Sequence, residues 1–496
     1  MQRKSLVVFV VLCMILSCAM AALAEGELVY GVNSDVRTLD PSLVADRLDS
    51  SIVWAICETL AIRDTNGVSQ PNLAESWEQI EPTVWEVKLR QGVKFTDGTD
   101  FTADSVVYSF ERAQDPQFGN NYQLPSQVLL KEVKVIDDYT IQLITEQPSS
   151  TVAYWFAESP IYPRGYYSEH TVDEVAMKPV GSGPYMLEEW VMDDHITLVR
   201  NENYWGEAPF YDKVTFRVIP EESSRLNELI AGNVDIVNTL SLDQASLADS
   251  DVSHAEYVVG LRKMHLTISF NGAEPLKDKR VRQALNYAID KDALVEDLLG
   301  GNTRVLASYV NVPNNNPDLG PYEYNPEKAK ELLAEAGYPD GFTVKFNYRP
   351  GAYGFDKEIV LACAEYLEEV GVHCEIEQIE EGLFWDKMDN KAFEGLAWHG
   401  WAALINPVVE NLILTCGFLD NGADYCNPEF DELYFKMLAS DSEEESRELS
   451  YQMQAIAWDD APWVFLWSLP QVYGVANDVN YSPRPDGYLF PWEIGK

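Results

Sequence analysis

The sequence predicts an α/β protein built on large mixed sheets, and three observations carry that prediction. Strand patterns of period two alternate with capped, amphipathic helix patterns along the chain. No segment repeats at an interval of about 20–50 residues, and no long low-complexity linker interrupts the alternation. The chain has 496 residues, 46% hydrophobic and 12% aromatic, which is too long for one core and too apolar for a disordered acidic tail. Roughly two or three domains are therefore expected.

The first element is not part of that fold. Arg3 and Lys4 precede an uncharged apolar run from Leu6 to Ile15, and Ala22-Leu23-Ala24 offers a small-residue cleavage site before Glu25. This is the layout of a secretory signal peptide over residues 1–24, with an apolar run short for a membrane span. An uncleaved anchor is one alternative. Acylation of Cys18, in Ile15-Leu16-Ser17-Cys18, is another. Cleavage after Ala24 leaves Cys57, Cys363, Cys374, Cys416 and Cys426 for an oxidising exterior. Cys416 and Cys426 flank a polar loop and are expected to pair. Cys363 and Cys374 fall on a helix pattern and the following strand pattern, as a second bridge or two buried thiols, and Cys57 reads as a buried thiol.

Further along, Trp85, Val87 and Leu89 alternate with Glu86, Lys88 and Arg90, the pattern of a half-buried strand. Lys131–Ile136 and Thr140–Thr145 flank Asp137-Asp138 as a hairpin, and Ile196–Val199 and Val214–Ile219 read as strands. From Arg280, Val281, Ala284, Leu285 and Ala288 mark one helix face; Asp290 caps a second helix that stops at Gly300-Gly301. Asn325-Pro326-Glu327 opens a third, with Ala329, Leu332, Leu333 and Ala336 on its apolar face and Gly337 as terminator. Glu443-Glu444-Glu445 occupy the first turn of a helix that runs to about Trp458, where carboxylates favour the dipole; no metal site is read there.

Charge and motifs narrow the function. With 80 acids against 36 bases the formal charge is -44, which repels phosphate backbones and anionic headgroups, so no nucleic-acid partner is expected. None of the six histidines has metalloprotease spacing, and no nucleophile elbow, phosphate-binding loop or dinucleotide fingerprint occurs. Gly181-Ser182-Gly183-Pro184 is glycine-rich, but Pro184 lacks the N–H an anion cradle would use, so it reads as a tight loop. A secreted hydrolase would need acid–base residues that no motif supplies. No enzyme activity, cofactor or metal is expected.

Several segments in order then resemble the family 5 extracellular solute-binding proteins, the dipeptide, oligopeptide and nickel receptors of ABC importers. They are Leu39-Asp40-Pro41 and Glu58-Thr59-Leu60; Pro71 to Trp77 leading into Leu89 to Gly98; and Phe101 to Val106. Gly181 to Tyr185, Asn201 to Gly206, Lys279 to Lys291, and Tyr324 to Gly341 follow. The resemblance runs from about residue 28 to 475. It implies two lobes of the type II periplasmic binding-protein fold: lobe I over 25–267 with a subdomain inserted at roughly 62–178, lobe II over 268–467, and a return to lobe I over 468–496. Crossings are expected near Thr267–Asn271 and Val464–Ser468. The implied molecule is a monomeric extracytoplasmic receptor that closes over a short peptide or peptide-like solute and is read by the importer's transmembrane subunits.

By the same resemblance a peptide adds as a strand between Ala45-Asp46-Arg47 and Gly400-Trp401-Ala402, with Trp401 stacking on it. Arg349 corresponds to a carboxylate-binding arginine. Tyr353 and Trp398 read as cleft aromatics, with core packing as the alternative for either, whereas His399 reads as structural. One departure stands out: Leu404 occupies the place of the acid that usually holds the ligand's α-amino group. Either another acid such as Asp46 serves, or the ligand is not a simple peptide. An oligosaccharide or a chelated metal are the other ligand classes the resemblance allows.

Overall fold

The computed structural model describes residues 26–495 except 45–46, 66, 116, 119–127, 311–313, 351, 354, 403–405, 419–420 and 441–442, and omits the side chains of 259–261, 381, 402 and 443. Residues 1–24, read above as a signal peptide, with Cys18, and also Ala45, Asp46 and Leu404, thus lie outside the described residues.

In chain order the strands are β1 (Glu27–Val32), β2 (Ala61–Arg63), β3 (Ser69–Pro71), β4 (Ala74–Glu81), β5 (Val84–Leu89), β6 (Leu130–Asp137), β7 (Thr140–Thr145) and β8 (Tyr185–Val191). They continue as β9 (His195–Arg200), β10 (Lys213–Val218), β11 (Ile236–Leu240), β12 (Ser253–Ile268), β13 (Phe342–Tyr348), β14 (Val372–Gln378), β15 (Leu396–Ala402) and β16 (Trp463–Ala476). A ten-stranded sheet has the order β14-β13-β15-β12-β16-β11-β1-β10-β9-β8, and a separate four-stranded sheet has the order β4-β5-β7-β6. The expected hairpin is β6–β7, and Trp85, Val87 and Leu89 point inward from β5. The long sheet is mixed: β1 runs parallel to β10, while β13 runs parallel to both β14 and β15.

Helices cover the sheet where their apolar stripes demand it. In Lys279–Ala288 the buried residues include Val281, Ala284, Leu285 and Ala288. Asp290 accepts the Ala293 N–H to cap Lys291–Leu299, and Asn325 accepts the Lys328 N–H to cap Pro326–Glu335. Gly337 has φ +96°, the left-handed conformation that ends this last helix. Three large apolar clusters result. One gathers Leu28, Tyr30, Trp54 and Phe216; a second gathers Val87, Phe101 and Phe156 under the four-stranded sheet; a third gathers Leu285, Phe346 and Trp398 at the other end of the long sheet.

The long sheet is continuous only through β12 and β16. Ser253–Val258 faces Gln471–Ala476, and Arg262–Thr267 faces Trp463–Leu469. Beyond the first stretch β16 pairs with β11; beyond the second β12 pairs with β15. The changeover is a register break between Val258 and Arg262, opposite Pro470, which has no N–H to give the ladder. It lies outside the expected crossings: Thr267 and Val464–Ser468 are already in the stretch where β12 is sandwiched by β15 and β16.

The motif segments prove to be clamps. Asp40 is fully buried and takes Arg112 in a bidentate pair at 2.6 and 2.8 Å. Glu58 accepts from Ser182 Oγ at 2.8 Å, Trp205 Nε1 at 2.7 Å and Tyr204 Oη at 3.0 Å, so three motif segments meet on one carboxylate. Arg90 lies 4.4 Å over the Trp205 ring. A Cβ on Gly183 would meet the Ala55 carbonyl at 2.3 Å, so only glycine lets this loop approach the end of the helix Arg47–Ile56. Asn286 donates to the Trp463 carbonyl and accepts from Phe465 N–H, pinning β16 to Lys279–Ala288.

Cys416 and Cys426 are bonded; Cys57 and Cys363 are buried free thiols and Cys374 is a partly buried one. A bridge closing a loop with a separation of 10 residues stabilises by about 2–3 kcal/mol. The Cys416→Ser, Cys426→Ser double variant is expected to lose that amount, measured as a lower urea midpoint. An unmoved midpoint would show that closing this loop contributes nothing.

Candidate functional site

β13 and β15 are parallel neighbours, paired at Phe346 with Leu396 and Asn347 with Ala397. Arg349 follows the carboxyl end of β13, and Gly400, Trp401 and Ala402 form the carboxyl end of β15. Ligands of α/β sheets gather outside such ends, where loops leave the sheet and backbone groups are free to turn outward.

Arg349 is held rather than exposed. It is 5% exposed, its Nη2 donates to Tyr353 Oη at 2.7 Å, and its guanidinium lies 4.1 Å from the Phe384 ring centre and 5.0 Å from that of Trp385. Because Tyr353 Oη accepts from arginine, its own proton is free for His399 Nδ1 at 3.0 Å. That requires a neutral His399. Burial, reinforced by His265, Arg349 and Arg262, holds its pKa well below the usual range. Next to it, His265 is pushed down to about 3 by burial and lies flat on Trp463 at 3.6 Å. Both histidines are buried and held neutral, and no group of three or more metal-ligating side chains occurs among the described residues.

Alternation along β15 sorts its two tryptophans. Residues three apart on a strand face opposite sides. Trp398 is fully buried, with its Nε1 on Asp356 at 2.7 Å, so of its two readings, cleft or core, the burial favours the core. Trp401 faces the other way, is half-buried, meets Phe418 edge-on at 6.2 Å, and its Nε1 has no hydrogen-bond partner among the described residues. A Cβ on Gly400 would meet Met264 Sδ at 2.6 Å and Arg262 Cδ at 2.9 Å. The glycine thus leaves room for Arg262, whose guanidinium crosses to lie 5.1 Å over the Tyr353 ring.

The backbone of Ala402 pairs with Arg262. Arg47 opens the helix Arg47–Ile56 and lies 5.2 Å over the Tyr488 ring, a contact within its own apolar cluster. The structure therefore brings Arg349, Tyr353, Gly400 and Trp401 to one end of neighbouring strands. It adds Arg262, Phe384 and Trp385, which carry no motif signal. Behind this wall Lys263, paired in register with Trp401, is buried with Glu410 at 3.0 Å, and Asn314 donates to the other Glu410 oxygen.

Two apolar bodies joined through one pair of strands, with an aromatic and cationic wall where the parallel strands end, define a bilobal binding protein. The family model of bacterial extracellular solute-binding proteins, family 5 (middle) matches residues 69–417, and the chain belongs to that family. It is 28% identical to the glutathione-binding protein GsiB of Shigella dysenteriae over 490 residues, covering 93% of this chain and 92% of that one. Among solved structures it matches the periplasmic binding protein DppA of Helicobacter pylori, determined with the peptide STSA, at TM-score 0.80 and 26% identity, covering 95% and 98% of the two chains. HbpA2 of Haemophilus parasuis shares the fold at TM-score 0.84 and 23% identity, covering 95% and 99%.

Proposed function

We propose that this protein is an extracytoplasmic receptor that closes over a short peptide or peptide-like acid and presents it to an ABC import permease. The observation that carries the reading is the pair of parallel strand ends: Arg349, caged by Phe384 and Trp385, follows β13, and Trp401, at the end of β15, has an Nε1 with no hydrogen-bond partner among the described residues. An arginine fork matches a carboxylate, and an indole offers stacking area with one donor. The named ligands of the relatives, glutathione for GsiB and the peptide STSA for DppA, are of this class.

On this reading the chain between the two halves of the register break, from Arg262 to Leu469, is the body that swings against the segments before Val258 and after Gln471. Residues 1–24 are the export signal, cleaved after Ala24. No helix among the described residues is long and apolar enough to cross a membrane. Family membership supports a binding role in place of catalysis.

Native mass spectrometry of the purified protein, before and after mild denaturation, identifies any ligand carried through purification. A peptide or peptide-like acid is expected; a sugar or a metal chelate would replace the ligand class. For that ligand, Trp401→Ala is expected to weaken binding by about 2 kcal/mol or more, roughly thirtyfold, while the ligand-free protein keeps its stability. Equal ligand-induced stabilisation in variant and wild type would remove Trp401 from the site.

A further inference from the structure

Arg349 and His399 are clamped by the same pair of rings. Phe384 and Trp385, on the helix Glu381–Asp389, have ring centres 4.1 and 5.0 Å from the Arg349 guanidinium. The His399 ring meets Phe384 at 5.5 Å and Trp385 edge-on at 5.6 Å. From within the sheet His265, its ladder partner, approaches His399 edge-on at 5.5 Å and is itself flat on Trp463. Arg349 and His399 are both buried. Neither can swing away without displacing this aromatic packing.

Tyr353 Oη bridges the two, 2.7 Å from Arg349 Nη2 and 3.0 Å from His399 Nδ1. A guanidinium N–H only donates, which leaves the phenol's single proton for the imidazole, where Nδ1 accepts it. Donation therefore runs one way, from Arg349 to Tyr353 to His399. The charged groups that face His399 are Arg349 and Arg262, both cations; with burial and the neighbouring His265 they keep the ring in the neutral form that can accept. The rings confine the guanidinium, and the phenol fixes the direction in which one of its N–H groups points. A fork must be oriented in this way to match a carboxylate bidentately.

We propose that His399 is a positioning residue of the ligand site: through Tyr353 it orients the Arg349 guanidinium and so sets a preference for a solute that ends in a carboxylate. The proposal rests on the reading of Arg349 as the group that meets that carboxylate. An arginine oriented in advance loses less freedom on binding. Without the phenol's anchor, affinity for a carboxylate should fall by about 3- to 10-fold. A solute ending in an uncharged amide makes no such ion pair and should lose little.

The test uses the chain from Glu25 onwards, with trialanine and trialanine amide as probes in calorimetric titrations. Leucine and asparagine share size and branching, but only asparagine keeps an acceptor at the place of Nδ1. The preference for acid over amide is expected to drop about 3- to 10-fold in His399→Leu and in Tyr353→Phe, to be retained in His399→Asn, and to fall no further when Tyr353→Phe and His399→Leu are combined. An unchanged preference in His399→Leu, an equal drop in His399→Asn, or an additive drop in the double variant overturns the proposal. Nitrogen-15 spectra of the arginine side chains read the same relay without ligand. The Arg349 Nη signals should be resolved in wild type and His399→Asn, and averaged by rotation in His399→Leu and Tyr353→Phe. That pattern with neither tripeptide bound upholds the positioning role and removes the peptide reading of the cleft. Signals indifferent to the variants overturn the role.

Discussion

Glu410→Ala is expected to destabilise the protein by about 3–5 kcal/mol, because it leaves a buried ammonium without its counter-charge. Lys263 is 1% and Glu410 0% exposed, and they are 3.0 Å apart. Burial already draws the Lys263 pKa below its ordinary value, and Glu410 opposes that pull. Without Glu410 the folded lysine binds its proton less well than the unfolded one does. The unfolded state then holds more protons, so the deficit deepens as pH falls and shrinks towards alkaline pH. Urea midpoints at pH 6 and pH 9 measure this directly. The double change Lys263→Met, Glu410→Leu should recover most of the loss, since well-packed apolar residues replace a buried pair at little cost. A single variant as stable as wild type at both pH values would mean that water reaches the pair.

The second large effect concerns Glu58, which burial pushes up to about 7 against the opposing pull of Trp205, Ser182, Tyr204 and Arg90. Its folded value stands above its unfolded value of about 4.5. The contribution of this group to stability is therefore complete below about pH 4.5 and is lost as pH rises towards 7. The integrated loss is about 3 kcal/mol. In Glu58→Gln that slope is absent, so the variant's stability deficit should be largest in acid and should narrow by about this amount by pH 7.5. A gap that widens with pH instead would show that the three donors hold an ionised carboxylate and outweigh its desolvation.

Both groups illustrate what a linear sequence does and does not expose. Strands such as β5, and helices with an apolar stripe, a cap and a glycine stop, follow from local rules, and so did Lys279–Ala288 and Pro326–Glu335. The Cys416–Cys426 bridge was legible because loop closure depends on a short separation. Glu58 lies inside a recognisable motif, yet its burial depends on Ser182, Tyr204 and Trp205, more than a hundred positions away. Among 80 acids nothing local sets it apart. Lys263 and Glu410 are likewise joined only by the return of the chain.

The candidate site divides along the same line. Trp401, Gly400 and Arg349 were visible because the resemblance supplied their places. Trp398 was left between cleft and core although strand alternation already placed it opposite Trp401. The cage around Arg349 was invisible because Phe384 and Trp385 come from a helix with no motif of its own. Glu381–Asp389 reaches the site only through the way the sheet is covered.

The double crossing in β12 and β16 has a practical consequence for anyone building a reporter from this molecule. Gly26 at one end of the described chain is tied to Asp212, and near the other end Leu489 N–H bonds Ser51 while Tyr488 rests 4.5 Å from Trp54. Both ends belong to one body. Dyes or fluorescent proteins fused to the two ends would travel together and stay silent as the cleft opens and shuts. A signal needs one label at an end and its partner spliced into the far body, for example at the exposed Leu361 in the helix Asp356–Glu369.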